Sequence, residues 1–322
     1  MKAAVYYANG GPEVLQYEDV PDPKLQPDGI IVEVKAIGIQ GGDVLNRARG
    51  PLMSTPHVVG YQVAGIVREV GERVTALQVG QHVTATNNWG SHAELLGTPA
   101  DSAWVVPDDM PFEVAAGIPV ELGTADDCLF EFGQLQAGET VLIQAAAGGV
   151  GLAAVQLAKA AGARVLGTAS SDERLERLRE YGLDVPINYV TGDLVREVMQ
   201  ATDGQGVDLV VDSVGGSTLE GSIAALAYRG RISWVGSAGR EPNPPAINGI
   251  MGKNASIHGV FLGAELARNR ARAYPMIARL IERVAAGELT VVVDSTFPLA
   301  EAAAAHRHIE SRQAFGRVVL IP

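Results

Sequence analysis

The residue types best suited to chemistry lie in Val141-Leu-Ile-Gln-Ala-Ala-Ala-Gly-Gly-Val-Gly-Leu-Ala-Ala-Val-Gln-Leu-Ala-Lys-Ala-Ala-Gly162. The apolar opening fits a buried parallel strand, and positions 150, 153, 154, 157, 158 and 161 then follow helical spacing. Gly148 and Gly151 hold the second and third places of a dinucleotide fingerprint, and Ala146 stands at the first. At such a turn the missing side chains let backbone approach a pyrophosphate, which sits on the helix N-terminus with Gly149 and Val150 beside it. A plain packing turn is the other assignment of these glycines. The strand that follows, 164 to 169, ends in Gly167-Thr-Ala-Ser170 with no acid to hold ribose hydroxyls. Arg174, one turn beyond Ser170, can give charge-assisted bonds to a 2′-phosphate, and Ser170 a hydroxyl bond. The pair therefore points to NADPH over NADH. Alternatively, Ser170 caps the next helix and Arg174 is solvated.

Around these residues the chain changes texture. From Met1 to about Glu121, short strands alternate with Gly and Pro turns, for example Gly29-Ile-Ile-Val-Glu-Val-Lys-Ala-Ile and Val63-Ala-Gly-Ile-Val-Arg-Glu-Val-Gly, as in a barrel-like all-β unit. After Gly138, strands at 141–145, 164–169, 207–212 and 231–235 alternate with helices. One of these begins at Ser170-Ser-Asp-Glu173, with capping-box spacing, and another spans about 217 to 228. Such alternation builds a doubly wound parallel sheet. An apolar strand, Ser256 to Phe261, closes it. The tail is expected to form a helix near 272–286, a strand 290–293, a helix near 299–309 and a strand 317–321.

With 37 acidic against 25 basic residues and a net charge of −12, the chain has no basic excess for nucleic acid or anionic membrane. No apolar run reaches the roughly eighteen residues of a membrane span, and nothing at Met1 resembles a leader. The expectation is a cytoplasmic protein. Cys128 is the only cysteine, which excludes an internal disulfide and a cysteine-rich zinc site, and it reads as a small buried apolar residue. The six histidines show no metal spacing, since His306 and His308 do not share a helix face.

Taken together, Ala145-Ala-Ala-Gly-Gly-Val-Gly151, Gly38-Ile-Gln-Gly-Gly-Asp43 with Arg47 and Gly50, and Val58-Val-Gly-Tyr-Gln-Val-Ala-Gly-Ile-Val67 resemble the medium-chain dehydrogenase/reductases, in their zinc-free quinone oxidoreductase branch. Gly123-Thr-Ala125, Ile187-Asn-Tyr189, Asp212-Ser-Val-Gly-Gly216 and Gly316-Arg-Val-Val-Leu320 match as well, so the resemblance spans nearly the whole chain. It implies an α/β protein: a Rossmann-type dinucleotide-binding domain, 122–262, and a GroES-like β-barrel catalytic domain from both chain ends, 1–121 and 263–322. It also implies a cleft for NADPH. Carried over by position, Gln40 and Thr124 lie near the nicotinamide, Val214 and Gly215 along the cofactor, Gly236 and Ser237 at the next strand end, and Phe261 with Leu262 over the ring. Tyr189 joins Ser170 and Arg174 around the 2′-phosphate, unless it is only core packing.

The chain also departs from its relatives. Where zinc alcohol dehydrogenases carry a Cys near Gly38 and a His-Glu after the glycine at 60, it has Gln40 to Gly42, Tyr61 and Gln62, so no zinc is expected. Without a Lewis acid, the fitting substrate is a quinone or α,β-unsaturated carbonyl, which accepts hydride at a conjugated carbon while hydrogen-bond donors stabilise the enolate. Gln40 and Tyr61 are the candidate catalytic residues, with a packing role for Tyr61 and a loop-fixing role for Asp43 as the other assignments. Gln40 stands where the branch usually has Asn, which bears on the quinone preference. Trp89 and Phe261 are available to stack on a flat substrate. Three readings stay open: an NADPH-dependent quinone or enone reductase, an enoyl reductase of a biosynthetic pathway, and an NADPH-binding structural or sensor protein. A homodimer is expected through the exposed edge of the Ser256 strand.

Overall fold

Runs of Val, Leu and Ile buried on both faces form a six-stranded parallel sheet in the computed structural model, which describes all residues from Met1 to Pro322. In space the strands run Val185–Asn188, Arg164–Ala169, Thr140–Ile143, Val207–Asp212, Leu226–Trp234, Ser256–Gly259. Counted in chain order this is 3-2-1-4-5-6, the doubly wound order of dinucleotide-binding sheets. Helices Gly149–Ala160, Asp172–Arg179, Leu194–Ala201 and Gly216–Ala225 connect the strands. Leu142, Leu166, Ile187, Val210 and Ile232 meet Val198, Leu219 and Ile223 in the core. These elements belong to the unit Glu121–Ala273.

The other unit joins Met1–Val120 to Tyr274–Pro322. The division after Ala273 lies beyond the boundary expected at 263 and falls inside the helix Arg270–Ala285, where Arg272 is still tied to Asp127 and Glu265 at 2.7 and 2.8 Å. Its main sheet has seven strands. Val293–Pro298 and Arg317–Ile321 run parallel, and the latter continues antiparallel through Gly29–Gly38, Gln62–Val70, His82–Thr86 and Ala103–Val105. Leu95–Pro99 pairs with Gly29–Gly38 as well. A smaller sheet holds Gln16–Asp19, Lys2–Tyr6 and His57–Val58. Val319 opposite Gly38 stitches the chain ends together, and Val32, Ile37, Val63 and Val83 share one core with Leu299, Ala305 and Leu320.

Several elements differ from the sequence reading. The strand expected at 290–293 is Val293–Pro298, whose parallel ladder opens with the Arg317 N–H donating to the Val292 carbonyl at 2.8 Å. The strand expected to reach Phe261 stops at Gly259, and Phe261 precedes the helix Leu262–Arg268. The helix expected at Ser170 is capped by Ser171, whose hydroxyl accepts the Arg174 N–H at 3.4 Å. The strand Val185–Asn188 and the helices Gly41–Arg49 and Leu194–Ala201 were not anticipated. No helix is long and apolar enough to cross a membrane.

Candidate functional site

The sheet order reverses between Thr140–Ile143 and Val207–Asp212, and two turns leave the carboxyl ends of these strands. Open α/β sheets bind ligands at such a switch point. In the first turn Ala145 adopts φ +52°, held by Thr168: its N–H donates to Thr168 Oγ1 at 3.0 Å, and the Ala146 N–H to the Thr168 carbonyl at 2.8 Å. The twelve-residue helix Gly149–Ala160 begins directly afterwards with Gly148 as N-cap, no capping side chain and no acid in its first turn. The neighbouring helices are capped by Ser171 and Asp193. The amides of Gly149, Val150 and Gly151 are thus left for an outside anion.

The two fingerprint glycines do different jobs. A Cβ on Gly151 would stand 2.4 Å from the Ala145 carbonyl oxygen and 2.7 Å from Ala146 Cα, so that glycine lets the helix lie against the strand end. A Cβ on Gly148 would meet only the Ala145 oxygen, at 3.4 Å. Protein atoms thus leave the space beside Gly148 open.

At the end of the second strand Arg174 Nη1 donates to Ser170 Oγ at 3.4 Å. Ala169 pairs with Asn188, and the Tyr189 N–H donates to the Ala169 carbonyl at 3.3 Å, which brings Tyr189, 46% exposed, to the same strand end. Asp172, the nearby acid, accepts the Asn188 amide at 2.7 Å. The sequence marked Asn188 only as the middle of the motif Ile187-Asn-Tyr189, with no role of its own. Its signal is the parallel register, which only the fold supplies.

In the second turn Asp212 Oδ1 accepts the N–H groups of Val214 and Gly215 at 2.9 and 2.8 Å. Gly215, at φ +72°, lies against Gly236 and Ser237: a Cβ there would meet the Gly236 oxygen at 3.1 Å and Ser237 Cα at 3.4 Å. Trp234 Nε1 donates to the Gly236 carbonyl at 2.7 Å. Thr124, on the helix Gly123–Asp126, and Leu262 are buried, whereas Phe261 is 73% exposed.

In the other unit, the start of the helix Gly41–Arg49 gathers the remaining candidates. Asp43 caps it by accepting the Gln40 N–H at 2.8 Å, which is the loop-fixing role. Burial pushes the Asp43 carboxyl up to about 7, against the pull of that N–H and of Arg317. Arg317 is buried and donates Nη2 to Gln40 Oε1 at 3.0 Å and Nη1 to the Ile39 carbonyl. Orienting the carboxamide by its oxygen turns its NH₂ group the other way. A Cβ on Gly42 would stand 2.5 Å from the Tyr61 hydroxyl, so Gly42 admits the phenol, whose oxygen accepts the Gly42 N–H. Burial first, and the charge of Asp43 second, hold the Tyr61 phenol well above its ordinary range, leaving it a neutral donor. The sequence marked Arg317 only as part of a motif, although a cation heading a buried apolar strand is a legible signal.

Gln62, at the place of a family metal ligand, is wholly buried and structural: Nε2 donates to the Ala116 carbonyl, and Oε1 accepts the Val120 N–H at 2.6 Å. No three His, Cys, Asp or Glu side chains converge as a metal site requires. Cys128 is buried, and desolvation raises its thiol well above the ordinary range.

A doubly wound sheet with an open helix N-terminus at its switch point, in one chain with a β unit built from both chain ends, is an architecture suited to binding a dinucleotide. Models of the alcohol dehydrogenase GroES-like domain and of the zinc-binding dehydrogenases match residues 26–108 and 149–283. The chain is 35% identical to the 2-haloacrylate reductase of a Burkholderia species, over 99% of this chain and 98% of that protein. It is 34% identical to a quinone oxidoreductase of Pseudomonas aeruginosa, over 100% and 99%. The structure of Escherichia coli quinone oxidoreductase complexed with NADPH superposes with a TM-score of 0.95 at 31% identity, covering both chains fully. The chain belongs to the medium-chain dehydrogenase/reductase superfamily, in its quinone oxidoreductase-like branch.

Proposed function

We propose that this protein is a zinc-independent reductase that uses NADPH to reduce a quinone or an α,β-unsaturated carbonyl compound. The observation that carries the reading is the open space at Gly148 on an uncapped helix N-terminus, which a Cβ would fill and to which we assign the pyrophosphate. Bound NADPH would supply the hydride. The amides of Gly149, Val150 and Gly151 hold the pyrophosphate, Ser170 and Arg174 take the 2′-phosphate with Tyr189 beside them, and the backbone of Val214, Gly215, Gly236 and Ser237 lines the cofactor. Thr124, Phe261 and Leu262 serve the nicotinamide end. Gln40 and Tyr61 donate hydrogen bonds to the carbonyl oxygen as it gains charge, the part a Lewis acid would otherwise play. Zinc independence is supported by the structural use of Gln62 and by the absence of thiolate or imidazole at positions 40, 61 and 62. We also infer a homodimer formed through the Ser256–Gly259 edge.

NADPH consumption by chelator-treated protein, measured with a panel of quinones and enones, tests the reading. Turnover is expected without metal, with NADPH at least tenfold preferred over NADH, about 1.4 kcal/mol, and that preference largely lost in Arg174→Ala. Tight NADPH binding without turnover on any acceptor would favour a binding or sensor protein instead, and near-equimolar bound zinc would refute the metal assignment.

A further inference from the structure

Beneath the two turns at the switch point runs a buried polar chain to which the proposed chemistry assigns no part. Thr168, Gln144, Ser222 and Asp212 are 1%, 3%, 0% and 0% exposed. Their donor and acceptor roles follow from the Asp212 carboxylate, which can only accept: the Ser222 hydroxyl donates to its Oδ2 at 2.8 Å, Ser222 Oγ accepts from Gln144 Nε2 at 3.1 Å, and Gln144 Oε1 is thereby turned to the Thr168 hydroxyl. The Thr168 hydroxyl donates to Gln144 Oε1 at 2.8 Å, and its oxygen accepts the Ala145 N–H at 3.0 Å. The other oxygen of Asp212 accepts the Val214 and Gly215 amides at 2.9 and 2.8 Å. The chain thus leads from a backbone amide in one turn to the carboxylate that shapes the other. Ala145 in the first turn and Gly215 in the second are held at positive φ, +52° and +72°, and both donate their N–H to a member of the chain. Ala145 is the more telling, because an alanine holds that conformation only where its surroundings fix it.

Resting on the reading of this switch point as the NADPH site, we propose that Thr168, Gln144, Ser222 and Asp212 are positioning residues that set the two cofactor-binding turns at one fixed spacing and orientation. Thr168 is pivotal, since its hydroxyl both restrains Ala145 and orders Gln144. A dinucleotide that spans both turns needs their geometry to agree, whereas a ligand held only at the end of the second strand does not. Loss of the chain should weaken the first kind of ligand and spare the second.

Titration of NADPH and of 2′-AMP into the wild type, Thr168→Val, Thr168→Ser and Ser222→Ala tests this without reference to turnover. Thr168→Val is expected to lose at least tenfold in NADPH affinity while binding 2′-AMP within twofold of the wild type. Thr168→Ser, which keeps the hydroxyl, should restore NADPH affinity to within about threefold. Ser222→Ala, which cuts the chain without touching either turn, should lose about fivefold and provides the test if Thr168→Val does not fold. Parallel loss of both ligands in a folded variant, or wild-type NADPH affinity in Thr168→Val, would overturn the positioning role alone. A wild-type protein that binds no NADPH would overturn the cofactor reading as well.

Discussion

Among single residues, the histidines illustrate how far sequence reaches. Their lack of metal spacing was legible, but the pairing of His92 with His306, 214 positions away, was not, because it depends on both chain ends folding into one unit. Arg47 Nη1 can only donate, so His306 Nδ1, 3.1 Å away, accepts; His306 Nε2–H then donates to His92 Nε2 at 3.0 Å, and the remaining proton of His92 points at Ser91 Oγ, 3.3 Å away. Both imidazoles must stay neutral. Burial pushes His92 down to about 3 and His306 well below its ordinary value, with His92 and Arg47 adding to the latter. Because both folded-state values lie below the unfolded 6.5, the stability they contribute is complete above pH 6.5 and is lost as pH falls toward 3. The loss is at most about 1.4 kcal/mol per pH unit for each histidine. Denaturant unfolding at pH 8 and pH 5 should show this loss in the wild type and a shallower one in His92→Gln. Equal pH dependence in the two proteins would contradict it. As catalytic candidates Gln40 and Tyr61 rest on the motifs containing them; the Arg317 and Gly42 contacts that orient them needed the fold.

Elements were legible where burial leaves a strong pattern and obscure where it does not. The central strands Thr140–Ile143 and Val207–Asp212 are apolar runs that sequence places readily. Val185-Pro-Ile-Asn188 was missed because a proline argues against a strand; it is tolerated because this strand is an edge, paired only with Arg164–Ala169. The two serines at 170 and 171 are equally good caps on paper, and the choice of Ser171 leaves the Ser170 hydroxyl for Arg174. The glycine turn supplies a paired test. Gly151→Ala drives a Cβ into backbone at 2.4 Å and should cost about 1–3 kcal/mol of stability. Gly148→Ala, at φ −84° and ψ 172°, should change stability by less than about 0.5 kcal/mol yet weaken NADPH at least tenfold. Thermal unfolding and ligand titration on both variants separate the roles, and undiminished NADPH affinity in Gly148→Ala would place the pyrophosphate elsewhere.

For the molecule as a whole, the doubly wound order was legible as a class from strand and helix alternation, while the union of the two chain ends came from family resemblance, since no local pattern encodes a pairing such as Val319 with Gly38. Assembly is decided at this scale too. Ser256–Gly259 pairs on one side only, with Leu226–Trp234, and Phe261, Tyr228 and Met251 in the same unit are 73%, 69% and 77% exposed. An open parallel edge with nearby exposed apolar side chains fits two-fold pairing with a second copy. Light scattering should therefore give twice the 33.7 kDa chain mass, and Ile257→Pro should shift it toward one; a wild-type monomer, or a dimer indifferent to that proline, would refute the interface. Reduction at a conjugated carbon is tested most directly by following the hydrogen itself. With NADPH deuterated at the transferring face of the nicotinamide and an enone acceptor, after chelation, the saturated ketone should carry one deuterium at the β carbon and a solvent hydrogen at the α carbon. An allylic alcohol labelled at the carbonyl carbon, or a product without label, would contradict the proposed reaction.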